Sequence, residues 1–208
     1  SRSLKQGADS FKHYDIRLDH LYGRYSFSDY FNLTVGKSRN PFWTVSELVW
    51  DEDIRLDGIT FYKQFLNWPG SMTVGTYFME EFFSDGVPGF SDNAEAGSPR
   101  RPGARFLALQ MDYLFDYEEE AKWKVGGGFY IFDHLQGRQF SDGGVGVSGS
   151  NNSTRDGKLV HDYDAFHVVS DLDLNIDWFD YLSFYQEYIS NLGLDEASRG
   201  LLIGTKFG

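Results

Sequence analysis

The stretch FHVVSDLDLNIDWFDYLSFYQEY (residues 166–188) carries the clearest signal of the fold. Every second position in its first half is apolar, with Ser170 as the interruption. The apolar row consists of Phe166, Val168, Leu172, Leu174, Ile176 and Trp178. Between these positions lie polar residues that include Asp171 and Asp173. Strict alternation predicts a β-strand with one face in an apolar medium, which is either a protein core or a lipid bilayer.

The same two-residue period recurs along the whole chain and predicts about nine strands. They cover residues 12–25, 30–37, 58–66, 71–81, 105–117, 121–133, 165–177, 181–191 and 199–207. No long window shows the 3.6-residue period of a helix, and no apolar run reaches the roughly 18 residues of a transmembrane helix. The predicted fold class is therefore all-β and antiparallel, as a single segment spanning residues 1–208.

The composition excludes some partners and chemistries. The chain has 31 acidic and 19 basic residues and a net charge of -12, so no basic surface is expected for nucleic acid. It has no cysteine, which excludes disulfides and thiolate metal sites within these residues. Aromatic residues make up 18% of the chain although its mean hydropathy is -0.43. This combination is typical of strands that are apolar on one face only.

The connections between the predicted strands alternate in length. Short turns are expected near residues 26–29, 67–70, 118–120 and 178–180, and long loops near 38–57, 83–104 and 134–162; the last, 192–198, is intermediate. Aromatic residues bracket all four short turns, as in the interfacial girdles of membrane barrels. Several predicted strands, such as 105–117 and 165–177, alternate beyond the roughly 5–6 residues of an ordinary strand, and a tilted membrane strand needs roughly 9–11. These patterns predict a transmembrane β-barrel with short periplasmic turns and long outer loops.

Nine strands do not close a single-chain bacterial barrel, because its strand number is even. We therefore expect the chain to be a fragment of a larger barrel, of about 16–18 strands, which would leave an aqueous channel. If the apolar faces meet lipid, the opposite faces line water. The predicted pore-lining residues are Asp15, Arg17, Asp19, Asp112, Lys122, Lys124, His167, Asp171, Asp173 and Glu187. Their excess of acids predicts a mild preference for cations.

The long loop at residues 38–57 is unusually apolar, with Phe42, Trp43 and Trp50 among its members. Exposure of so much apolar area would be costly. One hypothesis is that the loop folds inward and narrows the pore. The expected constriction residues are Arg39, Asp51, Glu52, Asp53 and Arg55. The alternative is an external loop packed on its neighbours or on a subunit interface.

The stretch VGKSRNPFWTVSELVWDEDIRLDGI (residues 35–59) resembles a family known as putative porins of Gram-negative outer membranes. The resemblance lies in a strand ending in Gly-Lys, then Asn-Pro-Phe, then LVWDEDI, then a glycine that opens the next strand. These motifs are Gly36, Lys37, Asn40, Pro41, Phe42, residues 48–54 and Gly58. The resemblance implies a water-filled barrel in the bacterial outer membrane and passive solute flux. It brings no catalytic residues and no cofactor.

The sequence gives only weak signals for a catalytic or metal site. The nearest catalytic grouping is HDYD (residues 161–164) with the loop serines Ser148, Ser150 and Ser153, but no G-x-S-x-G elbow is present. The carboxylates at positions 51, 52, 53 and 57 lack the spacing of an EF-hand loop. We therefore predict no enzyme, no metal site and no cofactor.

The expected partners are outer-membrane lipid and small hydrophilic solutes or ions, with no nucleic acid. A homotrimer is compatible with this interpretation. The alternative is a soluble or secreted antiparallel β-protein that binds carbohydrate on an aromatic face. Detergent separates the two, since only the barrel needs it to stay in solution.

Overall fold

The computed structural model describes residues 20–50, 54–78, 104–118, 120–136, 154–155, 158–159, 163–176, 178–179, 181–192 and 199–208. Nine of its strands form one antiparallel sheet. The eleven strands of the described residues are β1 (Leu21–Ser28), β2 (Phe31–Arg39), β3 (Arg55–Gln64), β4 (Gly70–Phe78), β5 (Arg105–Asp116), β6 (Ala121–Asp133), β7 (Thr154–Arg155), β8 (Lys158–Leu159), β9 (Ala165–Leu174), β10 (Leu182–Asn191) and β11 (Arg199–Phe207). The short strands β7 and β8 pair only with each other. The predicted all-β antiparallel class is confirmed.

The sheet is a meander, in which each strand pairs with its neighbours in the chain. Its order is β1-β2-β3-β4-β5-β6-β9-β10-β11. Consequently the short turns after β1, β3, β5 and β9 join the strands at one end, here called the short-turn edge. The long connections leave the strands at the opposite end. Within the described strands, β1 and β11 have one neighbour each, so the sheet is open. No helix of the described residues is long and apolar enough to cross a membrane.

Several strand limits differ from those predicted, among them the end of β1 at Ser28 instead of residue 25, and two of the differences have a cause in the backbone hydrogen bonds. Strand β9 ends at Leu174 instead of continuing to residue 177, because the chain turns there: Asn175 N donates to Glu120 O at 2.9 Å and Phe179 N donates to Ile176 O at 3.0 Å. Strand β3 begins at Arg55, three residues early, because its pairing with β2 extends to Arg39. The predicted strand residues 12–19 and 79–81 lie outside the described part of the chain.

The two faces of the sheet differ in what covers them. On β5, Leu107, Leu109 and Met111 are 47%, 37% and 38% exposed, whereas Phe106 and Gln110, which belong to the alternate row, are 0% and 2% exposed. Cross-strand register extends both rows over the sheet. We call the row with Leu109 the exposed face. The opposite row is the loop face, because residues 40–50, here called the covering segment, pack against it.

The buried core lies between the covering segment and the loop face. It consists of Phe42, Trp50, Leu56, Tyr77, Phe106, Ala108, Tyr130 and Ala165. Six of these eight side chains come from the strands β3 to β6 and β9. The strands thus supply most of the core, and the covering segment shields it from the other side with Phe42 and Trp50.

Tyr77 shows why glycine is needed at one core position. Its ring lies flat along the sheet, and a Cβ built on Gly75 would come within 2.1 Å of the Tyr77 hydroxyl. The hydroxyl lies 2.7 Å from Thr60 Oγ1, a hydrogen-bond distance, so its polar group is satisfied inside the core. A side chain at position 75 would displace the ring on which Phe42 packs.

Candidate functional site

The candidate site is the loop face together with the covering segment. The segment starts with an Asx-type turn, in which Phe42 N donates to Asn40 Oδ1 at 3.1 Å. Pro41 fixes its own φ and restricts Asn40 to extended conformations. The Asn-Pro-Phe sequence therefore turns the chain sharply as it leaves β2.

Phe42 and Trp50 are the apolar anchors of the covering segment, and both are buried. The Phe42 ring lies 6.0 Å from Tyr77, 6.1 Å from Phe106 and 5.7 Å from Tyr130, measured between centroids. Trp50 lies 5.0 Å from Phe106 and 5.4 Å from Tyr130. Mostly edge-on or tilted packing of this kind adds to the area buried. The two rings thus hold both ends of the covering segment against the same two residues of the sheet, Phe106 and Tyr130.

Gln110 holds the covering segment by its backbone. Its side-chain amide accepts a hydrogen bond from Trp43 N at 2.7 Å and donates one to Trp43 O at 2.8 Å. The amide thus pairs with the segment as a neighbouring strand would. The Trp43 ring packs over Gly126, where a Cβ would come within 3.1 Å of it, and Lys124 Nζ lies 4.1 Å from the ring centroid. Gln110 therefore fixes the segment 67 residues away along the chain.

A buried polar network connects the middle of the covering segment to strands β6, β9 and β10. Ser46 donates a hydrogen bond to Glu187 Oε2, and Glu187 Oε1 lies 2.8 Å from His167 Nε2. His167 Nδ1 is 3.0 Å from the Tyr130 hydroxyl. His167 and Glu187 are both 0% exposed. Paired groups of this kind meet the requirement that buried polar atoms find partners.

The short-turn half of the loop face is charged and open. Lys124 Nζ lies 3.6 Å from Asp112 Oδ1, and Asp112 Oδ2 accepts a hydrogen bond from Ser71. Cross-strand register places Lys122 beside Asp173 and Lys124 beside Asp171. A cavity of about 660 Å³ is lined by Glu118, Lys122, Asp171, Asp173, Lys206 and six further residues. Both signs of charge therefore face the same space.

The structure places the predicted pore-lining residues in two settings. Asp112, Lys122, Lys124, Asp171 and Asp173 share the loop face at its charged half. His167 and Glu187 share that face but lie beneath the covering segment, out of contact with solvent. The predicted positions Asp15, Arg17 and Asp19 lie outside the described residues.

The predicted constriction residues lie at the two ends of the covering segment. Arg39 and Arg55 form the last register pair of β2 and β3. Arg39 also lines a cavity of about 460 Å³ with Phe42, Glu47 and Trp50. Asp51, Glu52 and Asp53 lie outside the described residues. In the part of the chain that the structure describes, no group of three or more His, Asp or Glu side chains could hold a metal ion.

Sequence reasoning missed Ser46 and Tyr130 as members of the buried network. Tyr130 continues the alternating row of Lys122 and Lys124, so the two-residue period could have placed it on the loop face. Ser46 gives no such signal, because its partner Glu187 is 141 residues away and the loop has no period.

The exposed face carries a chain of aromatic rings at the short-turn edge. Ring centroids are 4.9 Å apart for Phe65–Trp68, 5.4 Å for Trp68–Tyr113, 4.5 Å for Tyr113–Phe115 and 5.2 Å for Phe115–Trp123. These rings come from the turn between β3 and β4 and from the strands β5 and β6. Beyond them Trp178, in the turn after β9, is 89% exposed. The aromatic positions predicted beside the short turns thus form a band.

Neither a curated protein nor a solved structure matches the chain. The family described as "Putative porin" matches residues 1–161, which is more than half of the 208-residue chain. The chain therefore belongs to the Putative porin family.

Proposed function

We propose that the chain forms part of the wall of a bacterial outer-membrane channel through which small hydrophilic solutes or ions diffuse passively. The observation that carries the proposal is the difference between the two faces of one sheet. The exposed face is a broad apolar surface without protein cover among the described residues, and the loop face is polar where the covering segment ends. Family membership supports the same assignment.

The exposed face has the properties of a lipid-facing surface. Ile203 is 70% exposed and Leu201 is 64% exposed, on a strand in which they alternate with loop-face residues. An apolar surface this extended is rare on soluble monomers. The aromatic band at the short-turn edge corresponds to an interfacial girdle. Lipid offers no hydrogen bonds to the free edges of β1 and β11, so we propose that further strands close the barrel.

The loop face would then line water, and the covering segment would narrow the lumen. The charged half supplies Asp112, Lys122, Lys124, Asp171 and Asp173 to the solute path. We extend this role to the predicted residues at positions 15, 17 and 19, and place Arg39, Arg55 and residues 51–53 around the narrowed section. The acidic excess favours cations weakly. This proposal involves no catalytic step.

The experiment is conductance of the full-length protein in a planar bilayer. We expect stepwise single-channel currents, with a larger step for a variant that lacks residues 42–50. The matched control shortens the loop after β4 by the same number of residues. A protein that stays soluble without detergent and gives no current would overturn the channel, whereas an unchanged step on deletion would overturn only the narrowing.

A point variant keeps the chain length and therefore tests the same idea if the protein that lacks residues 42–50 fails to fold. Gln110→Leu removes the two hydrogen bonds to Trp43 and leaves the strands intact. We expect noisier open-channel current as the segment loosens, with the barrel still assembled. Quiet, wild-type current would count against a segment that lies in the solute path.

A further inference from the structure

One part of the loop face, on β1, β2 and β3, differs from the rest in the charge of its side chains. The cavities described above contain carboxylates, Glu47 in one and Asp171 and Asp173 in the other. A third cavity, of about 380 Å³, has no aspartate or glutamate among the described residues that line it. We call it the arginine cavity, and its lining includes Arg24, Arg39, Asn32, Ser38, Asn40 and Thr60. This lining contrasts with the composition of the chain, which has 31 acidic and 19 basic residues.

Strand register explains how these side chains come together. Arg24 on β1, Thr34 on β2 and Thr60 on β3 are successive register partners. Their row continues to Ala108 in the buried core, so it belongs to the loop face. Arg39 is the last residue of β2, where the covering segment begins. The arginine cavity therefore lies at the base of the covering segment.

The amide side chains of the arginine cavity have engaged acceptors and donors to spare. Asn40 Oδ1 accepts a hydrogen bond from Phe42 N at 3.1 Å, and Asn32 Oδ1 accepts one from Ser26 Oγ at 2.6 Å. The NH₂ groups of both amides remain as donors. Asn32 and Thr60 are only 7% and 5% exposed, so this polar wall is held within the fold. The cavity therefore suits a ligand that supplies hydrogen-bond acceptors.

The two arginines add positive charge to these donors. In the part of the chain that the structure describes, no ion pair includes Arg24 or Arg39. A guanidinium keeps its charge at any ordinary pH, and its planar fork of N–H groups matches two oxygens of a carboxylate or phosphate. Both side chains are therefore charged donors without a carboxylate of the protein to neutralise them.

We propose that the arginine cavity binds an oxyanion, the carboxylate or phosphate group of a small solute, through Arg24, Arg39 and the amides of Asn32 and Asn40. A cation would meet no carboxylate among the described lining residues, and a neutral solute would leave both positive charges without a partner. The inference rests on the proposed channel and deepens it, since a solute that passes the covering segment passes this cavity. The weak preference for cations follows from the acidic excess of the whole lumen, whereas the arginine cavity acts on anions at one place.

Phosphate binding by the full-length protein in detergent, measured by isothermal titration calorimetry at constant ionic strength, tests the site. We expect saturable binding to the wild type and roughly tenfold lower affinity for Arg24→Gln, because charge-assisted hydrogen bonds are lost. Lys63→Gln is the matched control, since it removes one positive charge from the exposed face of β3 and should bind as the wild type does. Titration with acetate distinguishes a carboxylate ligand from a phosphate. No saturable binding of either anion, or equal weakening in the two variants, would overturn the inference.

A second variant keeps the test valid if Arg24→Gln fails to fold. Arg39→Gln removes the other guanidinium, from the end of β2 instead of the middle of β1. We expect phosphate affinity to fall by a similar factor. Wild-type affinity in Arg39→Gln would overturn a site built on both arginines.

Planar-bilayer currents of the wild type in potassium chloride separate failure of this inference from failure of the channel. A protein that conducts but binds neither phosphate nor acetate would keep the proposed function and overturn only the anion site. A protein that binds phosphate through Arg24 but gives no current would support the anion site and overturn the channel.

Discussion

The two halves of the loop face show how one alternating pattern produces two different environments. Glu187 and Asp173 belong to paired strands and point to the same side of the sheet. Glu187 is fully buried beneath the covering segment in contact with His167 and Ser46, whereas Asp173 is exposed in the charged half. The alternation of residues along a strand determines which face a side chain lies on. The covering segment determines which charged side chains of the loop face contact water.

The largest effect is expected from the apolar anchors of the covered half. Phe42→Ala should lower the free energy of unfolding by about 3–5 kcal/mol, because it removes a ring packed between Tyr77, Phe106 and Tyr130. The measurement is urea unfolding of the full-length protein in lipid vesicles. Leu109→Ala on the exposed face is the control, for which a smaller loss is expected. An equal loss of unfolding free energy in the two variants would mean that the covering segment adds nothing to the stability of the core.

A smaller loss is expected from the buried network. Glu187→Gln keeps the shape of the side chain but weakens its hydrogen bonds with Ser46 and His167, at an expected cost of about 1–3 kcal/mol. The same isosteric change in the charged half, Asp173→Asn, should stay within about 0.5 kcal/mol of wild type. Vesicle unfolding measures both variants. A larger cost for Asp173→Asn would reverse the assignment of the two halves.

The smallest effect concerns charge in the open half and leaves stability unchanged. Lys122→Gln removes a positive charge that faces the shared cavity beside Asp173. Cation preference should rise, measured as a shift of the reversal potential in a salt gradient. His167→Gln, beneath the segment, should leave the reversal potential unchanged. A shift for His167→Gln with none for Lys122→Gln would show that the ions follow another path.

The parts of the fold that were predicted correctly are those that depend on local sequence, above all the alternation of apolar and polar residues. Alternation identified the nine strands of the large sheet and, on β2 to β6 and β9 to β11, both faces, because side-chain direction in a strand depends only on position. It placed Asp171 and Asp173 on the face opposite Leu172 and Leu174, as observed. It failed at the end of β9, where Ile176 and Trp178 continue the apolar row but the backbone has already turned.

The candidate site was less predictable, because its geometry depends on distant residues. The apolar content of residues 38–57 suggested that they would be buried, and Phe42 and Trp50 are. The contacts that fix the segment, Gln110 with Trp43 and Glu187 with Ser46, join residues 67 and 141 positions apart. No local period encodes such pairs. The burial of His167 and Glu187 follows from them and could not be read from β9 or β10 alone.

The central claim is that one face of this sheet meets lipid and the other meets water. Spin labels at positions 171, 172, 173 and 174 of β9, in the full-length protein in vesicles, test it most directly. Collision with a water-soluble relaxing agent should be high at 171 and 173, and collision with oxygen, which concentrates in lipid, should be high at 172 and 174. Uniform accessibility to the water-soluble agent at all four positions, or the opposite alternation, would contradict the account.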